Sequence, residues 1–211
     1  MIRIEKLQGK SGLRSSFVRE MQSQFVTDDG LLSNSISWAA DRGNSFKNIA
    51  LTAFYMDMSL SALTRATNQL GKLDKWLSDK DAEISSSLRN KMEKSYDLFV
   101  QLVKSKKYSK VFSSKKVSPV EMVAIPLLIR HYMNDLDLAG LAEKIDEMRK
   151  EVRRIHTDVR TNERVFATLI AFIAGNKSSG KRKRHDDDMD DSSDEDDESY
   201  GKKRPKAKAR K

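Results

Sequence analysis

The three histidines, His131, His156 and His185, are the side chains of this chain best suited to acid-base or metal chemistry, and their spacing serves neither. His131 and His156 fall on different helical stretches and His185 lies in a charged C-terminal tail, so no ligand pair forms at the spacing a metal site needs. His156 and Asp158 are two residues apart, which puts them on different sides of a helix and weakens an acid-base pair. Zero cysteines exclude disulfides, thiol catalysis and cysteine-ligated zinc, and suit a reducing compartment. Gly9, Lys10, Ser11 and Gly12 superficially resemble a phosphate loop but lack its spacing of glycines and lysine before a helix. The expectation is no catalytic residue, no cofactor and no metal.

Charge is the more informative chemistry. Arg149, Arg153, Arg160 and Arg164 are spaced by four, seven and four, so on one continuous helix they would form a basic stripe able to meet the phosphates of DNA or RNA. Glu147, Glu151 and Glu163 are near enough to pair with them, and a solvated face of intrahelical ion pairs is the favoured reading.

The tail carries three charge blocks in succession. Lys181, Arg182, Lys183 and Arg184 precede ten acidic residues between positions 186 and 198, and Lys202, Lys203, Arg204 and Lys206 follow, with Lys208, Arg210 and Lys211 at the end, where the main contacts to DNA or RNA are expected, helped by the arginine stripe. Met189 and Tyr200 are its large apolar residues, too few to offset chain entropy, so residues 177–211 are expected to be disordered. Two basic runs separated by 17 residues match a bipartite nuclear import signal, which implies an import receptor and a nuclear location. Ser192 with Glu195 and Ser193 with Asp196 fit acid-directed kinases, whose phosphates would deepen the acidic block.

The elements that would position these groups are helices. Three prolines and nine glycines leave long stretches with apolar residues every three or four positions. Phe17, Met21 and Phe25 predict a helix over residues 15–27, ended by Asp28, Asp29 and Gly30. Phe46, Ile49, Ala50, Ala53 and Phe54 predict another over 42–58, starting near Gly43, and Leu70, Leu73, Trp76 and Leu77 a shorter one ending near Ser78. Ile84, Leu88, Met92, Tyr96, Phe99 and Val103 predict a helix over 81–104, with Tyr96 and Phe99 as core residues rather than stacking platforms. Ser118, Pro119 and Glu121 form a capping-box start, and Pro126 inside that helix predicts a kink or a break.

From Leu138 through Leu141, Ile145, Met148, Val152, Ile155 and Val159 to Phe166, Leu169 and Ile173 the apolar residues follow heptads. One long helix with oligomerisation is one reading. Two helices packing into their own core, as a monomer, are favoured because Thr157, Asp158, Thr161 and Asn162 cap well and propagate helix poorly. The fold class is therefore all-α, a single domain of about six to eight helices over residues 1–176. Its longest apolar run, residues 165–174, is half of the ~20 a membrane span needs, and the first ten residues lack the apolar region of a signal peptide, so no membrane partner is expected.

Several segments carry a resemblance to a family. Glu5, Lys6, Leu7 and Gln8, the run Ser16 to Glu20, the run Met148 to Arg153, His156, and Arg160 to Asn162 resemble the helical C-terminal part of fungal members of the GmrSD-type restriction family. The resemblance runs from Glu5 to Ile173. Bacterial members are nucleotide-dependent endonucleases acting on modified DNA, with an N-terminal domain of ParB and sulfiredoxin fold. That domain's D-G-Q-Q-R motif does not occur here, so no catalytic residue carries over, and the resemblance implies a truncated copy, an alternative start or an incomplete gene model.

Basic residues exceed acidic ones by 40 to 31, most of the excess lying before the tail, which suits an acidic partner. The expected function is a non-catalytic nuclear helical module with weak, nonspecific nucleic-acid association. The alternative is a nuclear interaction protein whose acidic block binds histones or other basic partners.

Overall fold

The computed structural model describes residues 4–175 apart from 28, 34, 39–43, 64–69 and 80–81. The tail with its import, phosphorylation and terminal cation positions lies outside the described residues, as do the expected helix starts at Arg42 and Asp81. Within them the chain is all-α, built from α1 (Ile4–Gln8), α2 (Leu13–Phe25), α3 (Asn44–Met56), α4 (Leu60–Leu63), α5 (Leu70–Ser78), α6 (Ser86–Lys104), α7 (Lys110–Ser113), α8 (Pro119–Tyr132), α9 (Leu138–Ile155) and α10 (Glu163–Ile173). Seven of these are nine residues or longer, and α1, α4 and α7, of five or fewer, have no periodicity to announce them.

Helix α8 is the centre. Residues 120–129 are all buried, because Val, Met, Ala, Ile and Leu occupy every face rather than one stripe, and a helix apolar all round must be surrounded. It packs against α3, α6, α9 and α10. Helices α3, buried from Asn48 to Met56, and α6 are its two most extensive partners, and Asn48 Nδ2 ties α3 to α8 by donating to the Pro119 carbonyl at 3.0 Å. Pro126 removes one backbone donor, yet α8 runs unbroken through it, since contacts on all sides hold the turn that the missing hydrogen bond would have held.

Helices α6, α8, α9 and α10 begin at side-chain caps. Ser85 accepts from the Leu88 amide, so α6 starts at Ser86 and not at the expected residue 81. Ser118 and Glu121 complete the expected capping box of α8. Asp137 accepts from Gly140 N at 2.8 Å to start α9, and Asn162 from Val165 N at 2.9 Å to start α10.

The heptad region is two helices. Helix α9 ends at Ile155, His156 adopts an extended backbone, and Asn162 restarts the chain as α10, as the run of capping residues implied. Leu141, Ile145, Met148, Val152, Leu169 and Ile173 of the heptad frame are buried within the chain's own core, which uses the seam a second copy would need. Stacking of Tyr55 on Phe166, 4.6 Å between ring centroids, joins α10 to α3.

The turn after α2 requires its glycine. A Cβ on Gly30 would lie 2.6 Å from Phe25 C and Val26 N, closer than any side chain can approach. Among the described residues no helix is long and apolar enough to cross a membrane.

Candidate functional site

The feature with the chemistry to bind something is a half-open cleft of about 330 Å³ between the segment after α7 and the C-terminal half of α9. Its cations are Lys115, Arg149, Lys150, Arg153 and Arg154, with Asp146 beside them and Val111 and Ser114 on the opposite wall. The segment feeding that wall, residues 104–116, holds six lysines and no acidic residue.

The floor is a buried ion-pair cluster. Glu121, in the first turn of α8, is fully buried, and Arg149 is 4% exposed. Arg149 Nε donates to Glu121 Oε1 at 3.1 Å, while its other two nitrogens donate to the carbonyls of Val111 and of Lys115, the latter at 2.7 Å. Arg153 Nη1 donates to Glu121 Oε1, and its Nη2 reaches Glu121 Oε2 at 2.8 Å and the Lys116 carbonyl at 3.3 Å. The Ser118 amide, at 2.8 Å from Oε2, completes the carboxylate's partners. Burial works against ionising Glu121, but the hydrogen bonds from Arg153 and Ser118 and the charges of Arg149 and Arg153 outweigh it and hold the carboxyl below its ordinary range.

One carboxylate thus does two jobs. It closes the capping box and anchors two arginines whose remaining donors grip three carbonyls of the 111–117 segment. A parallel bridge between Trp38 and Val117, with Val117 N donating to Ser37 O at 3.1 Å, holds the end of that segment. The cleft wall is therefore fixed by backbone contacts, and its lysines project from a preformed support.

The outer cations are held loosely. Lys150 pairs with Asp146 at 2.6 Å and Arg154 makes two 2.8 Å bonds to Glu151, but Lys150 and Arg154 are 77% and 65% exposed. Pairs this exposed contribute little and are screened by salt, so these cations can exchange a carboxylate for a phosphate at small cost.

The four arginines of the expected stripe separate accordingly. Arg149 and Arg153 come together over Glu121, not over Glu147 and Glu151, and Arg149 is removed from the surface by its burial. Arg160 lies in the loop between α9 and α10, paired with Asp158, and Arg164 is exposed on the first turn of α10. The stripe fails because the helix it needed ends at Ile155. What sequence reasoning missed is Lys110, Lys115, Lys116, Lys150 and Arg154, and the signal for most of them was the lysine run without an acid.

The two described histidines make local contacts on their own helices and loops, and His185 lies outside the described residues. His131 is exposed and meets the Tyr132 ring edge-on, 4.5 Å between centroids. His156 Nε2 lies 2.8 Å from Thr168 Oγ1, the spacing of a base and a nucleophile. The Thr168 hydroxyl also lies 3.1 Å from the Arg164 carbonyl, so the contact ties the loop before α10 to the first turns of that helix. Among the described residues no group of three or more histidines and carboxylates could hold a metal. The chain matches no family model, no curated protein and no solved structure.

Proposed function

We propose that this chain is a non-catalytic nuclear module that holds nucleic acid weakly and without sequence preference, and that the cleft between the 111–117 segment and α9 is its contact surface. The single observation carrying the reading is the convergence of Lys115, Lys150, Arg153 and Arg154 on one concavity, fed by a lysine run free of acids. Lysine and arginine around a preformed hollow suit phosphate oxygens, and nothing in the arrangement reads a base edge, so affinity is electrostatic. The GmrSD-type origin belongs to the same proposal. Its segment Met148 to Arg153 supplies the anchoring arginines and one outer cation of the cleft, Lys150.

The tail contributes the address and further cations, Lys208, Arg210 and Lys211. Alanine in place of Lys181, Arg182, Lys183, Arg184, Lys202, Lys203 and Arg204 is expected to disperse a large fluorescent fusion into the cytoplasm. Unchanged nuclear accumulation would remove the address.

Binding is tested by anisotropy titrations of the full chain with DNA and RNA oligonucleotides at two salt concentrations. With about five phosphates neutralised, the logarithm of affinity falls against the logarithm of salt with a slope of roughly −4. Replacing Lys115 and Lys150 by glutamate is expected to weaken binding about tenfold or more and flatten the slope, whereas Arg160→Gln with Arg164→Gln leaves it nearly unchanged. Salt-independent binding would sink the reading. Loss of histone binding on deleting residues 186–198, with indifference to the cleft substitutions, would put basic proteins in place of nucleic acid.

A further inference from the structure

Ser114 stands on the wall of the cleft opposite α9, at the end of α7, within four consecutive exposed residues, 113–116. Lys110 precedes it by four positions, and Lys115 and Lys116 follow it directly, so its hydroxyl sits in the basic context that lysine- and arginine-directed kinases select. Neighbouring Ser113 is exposed as well but is not part of the cleft lining, and its hydroxyl faces the Lys110 carbonyl at 3.5 Å.

The charge around Ser114 is nearly what one phosphate would cancel. Five lining cations are opposed by Asp146, by Glu121 beneath them and by Glu151 on Arg154, which leaves an excess of two. A phosphoserine carries about −1.5 to −2 at neutral pH, and its three oxygens accept from lysine and arginine as a nucleic-acid phosphate does. Space is available too. The cleft's volume of about 330 Å³ is many times what one water needs, so a phosphate enters by displacing solvent rather than side chains.

We infer that Ser114 is a phosphoacceptor for a basic-directed protein kinase, and that its phosphate occupies the cleft and displaces nucleic acid. In the transfer the Ser114 oxygen attacks the γ-phosphorus of a nucleoside triphosphate. The new Oγ–P bond forms as the bond to the diphosphate breaks, and the hydroxyl proton passes to the kinase's base. The release half rests on the nucleic-acid reading above. The occupancy half does not, because it concerns only the phosphate and the cations of this chain.

The experiment uses the full chain with phosphoserine incorporated at position 114, beside the unmodified protein and Ser114→Ala. Phosphorus NMR titration is expected to show the phosphate titrating below the value of roughly 6 for an unconstrained phosphoserine, and returning to it when Lys150→Gln and Arg154→Gln are added. In the oligonucleotide titrations the phosphorylated chain is expected to bind about tenfold more weakly at low salt than the unmodified chain, with a slope shallower by about two. Incubation of the folded chain with a lysine- and arginine-directed kinase and ATP is expected to place phosphate at Ser114 by mass spectrometry, and Ser114→Ala to abolish it. A phosphate that titrates as if in open solvent overturns occupancy, and labelling elsewhere overturns the acceptor assignment. If the unmodified chain binds no oligonucleotide, the nucleic-acid reading and the release half fall together, while a shifted phosphorus titration still upholds occupancy.

Discussion

Two glutamate–arginine clusters in this chain use the same chemistry with different consequences. Glu20 on α2 meets Arg89 on α6 through two bonds of 2.6 and 3.0 Å, Arg89 lies 4.8 Å over the Phe17 ring, and the two side chains are 53% and 39% exposed. Glu121 meets Arg149 and Arg153 with exposures of 0%, 4% and 20%. Both carboxyls sit below their ordinary range. For Glu20 the first cause is the Arg89 hydrogen bond, whereas Glu121 must first overcome burial. In water the surface pair is one of many interchangeable arrangements. Beneath the cleft, losing one partner leaves a largely buried charge that solvent compensates poorly, so the cluster helps dictate where α9 and the 111–117 segment stand.

The largest break in this comparison is Glu121→Ala. It leaves the buried Arg149 without its carboxylate, removes the main partner of the partly exposed Arg153 and opens the α8 capping box, and is expected to cost roughly 3–5 kcal/mol in urea denaturation, a large part of a domain's 5–15. Replacing the whole cluster with apolar residues, Glu121→Leu with Arg149→Met and Arg153→Met, is expected to cost less than that single change, because no charge remains to be stranded. A triple variant less stable than Glu121→Ala would mean that the grip on the Val111, Lys115 and Lys116 carbonyls, and not charge compensation, dominates.

Acid sharpens the contrast. A carboxyl whose folded pKa is depressed adds stability above its unfolded value, about 4.3, and that stability disappears as pH falls through the folded value. Unfolding free energy measured from pH 6 to pH 3 is therefore expected to drop, and Glu121→Gln to flatten the drop. Glu20→Gln should barely change the profile, since solvent screens its pair. The smallest effect is Glu20→Ala at neutral pH, expected at about 0.2–1 kcal/mol and fading in 1 M salt, where the Debye length is ~3 Å. A cost of several kcal/mol there would show that Glu20, by holding Arg89 over Phe17, fixes α2 against α6 far more tightly than an exposed pair should.

How far each feature was legible follows the range of the interaction that makes it. The Ser118 and Glu121 capping box joins residues three positions apart, so both bonds are written into the local sequence, and the structure has them. The break after Ile155 was equally local, since Thr157, Asp158 and Asn162 compete for the backbone within their own turn. The second use of Glu121 was not legible, because Arg149 and Arg153 stand 28 and 32 residues away and meet it only when α9 packs on α8. Periodicity assigned Arg149 to a surface because arginine is rarely buried, and the structure buries it because one carboxylate and two carbonyls satisfy it.

The sequence by itself determined the all-α class, the main helices and most of their starts, since helical periodicity and caps depend on neighbours within about four residues. It also carried the lysine run and the tail's charge blocks, which are properties of composition. Only the tertiary structure decided which cations share a cleft, which arginine becomes part of the core, and that α8 rather than the longer α6 or α9 is the central helix. Those outcomes depend on which faces meet across tens of residues, where low dielectric makes one compensated charge cluster permissible and an unmatched one prohibitive.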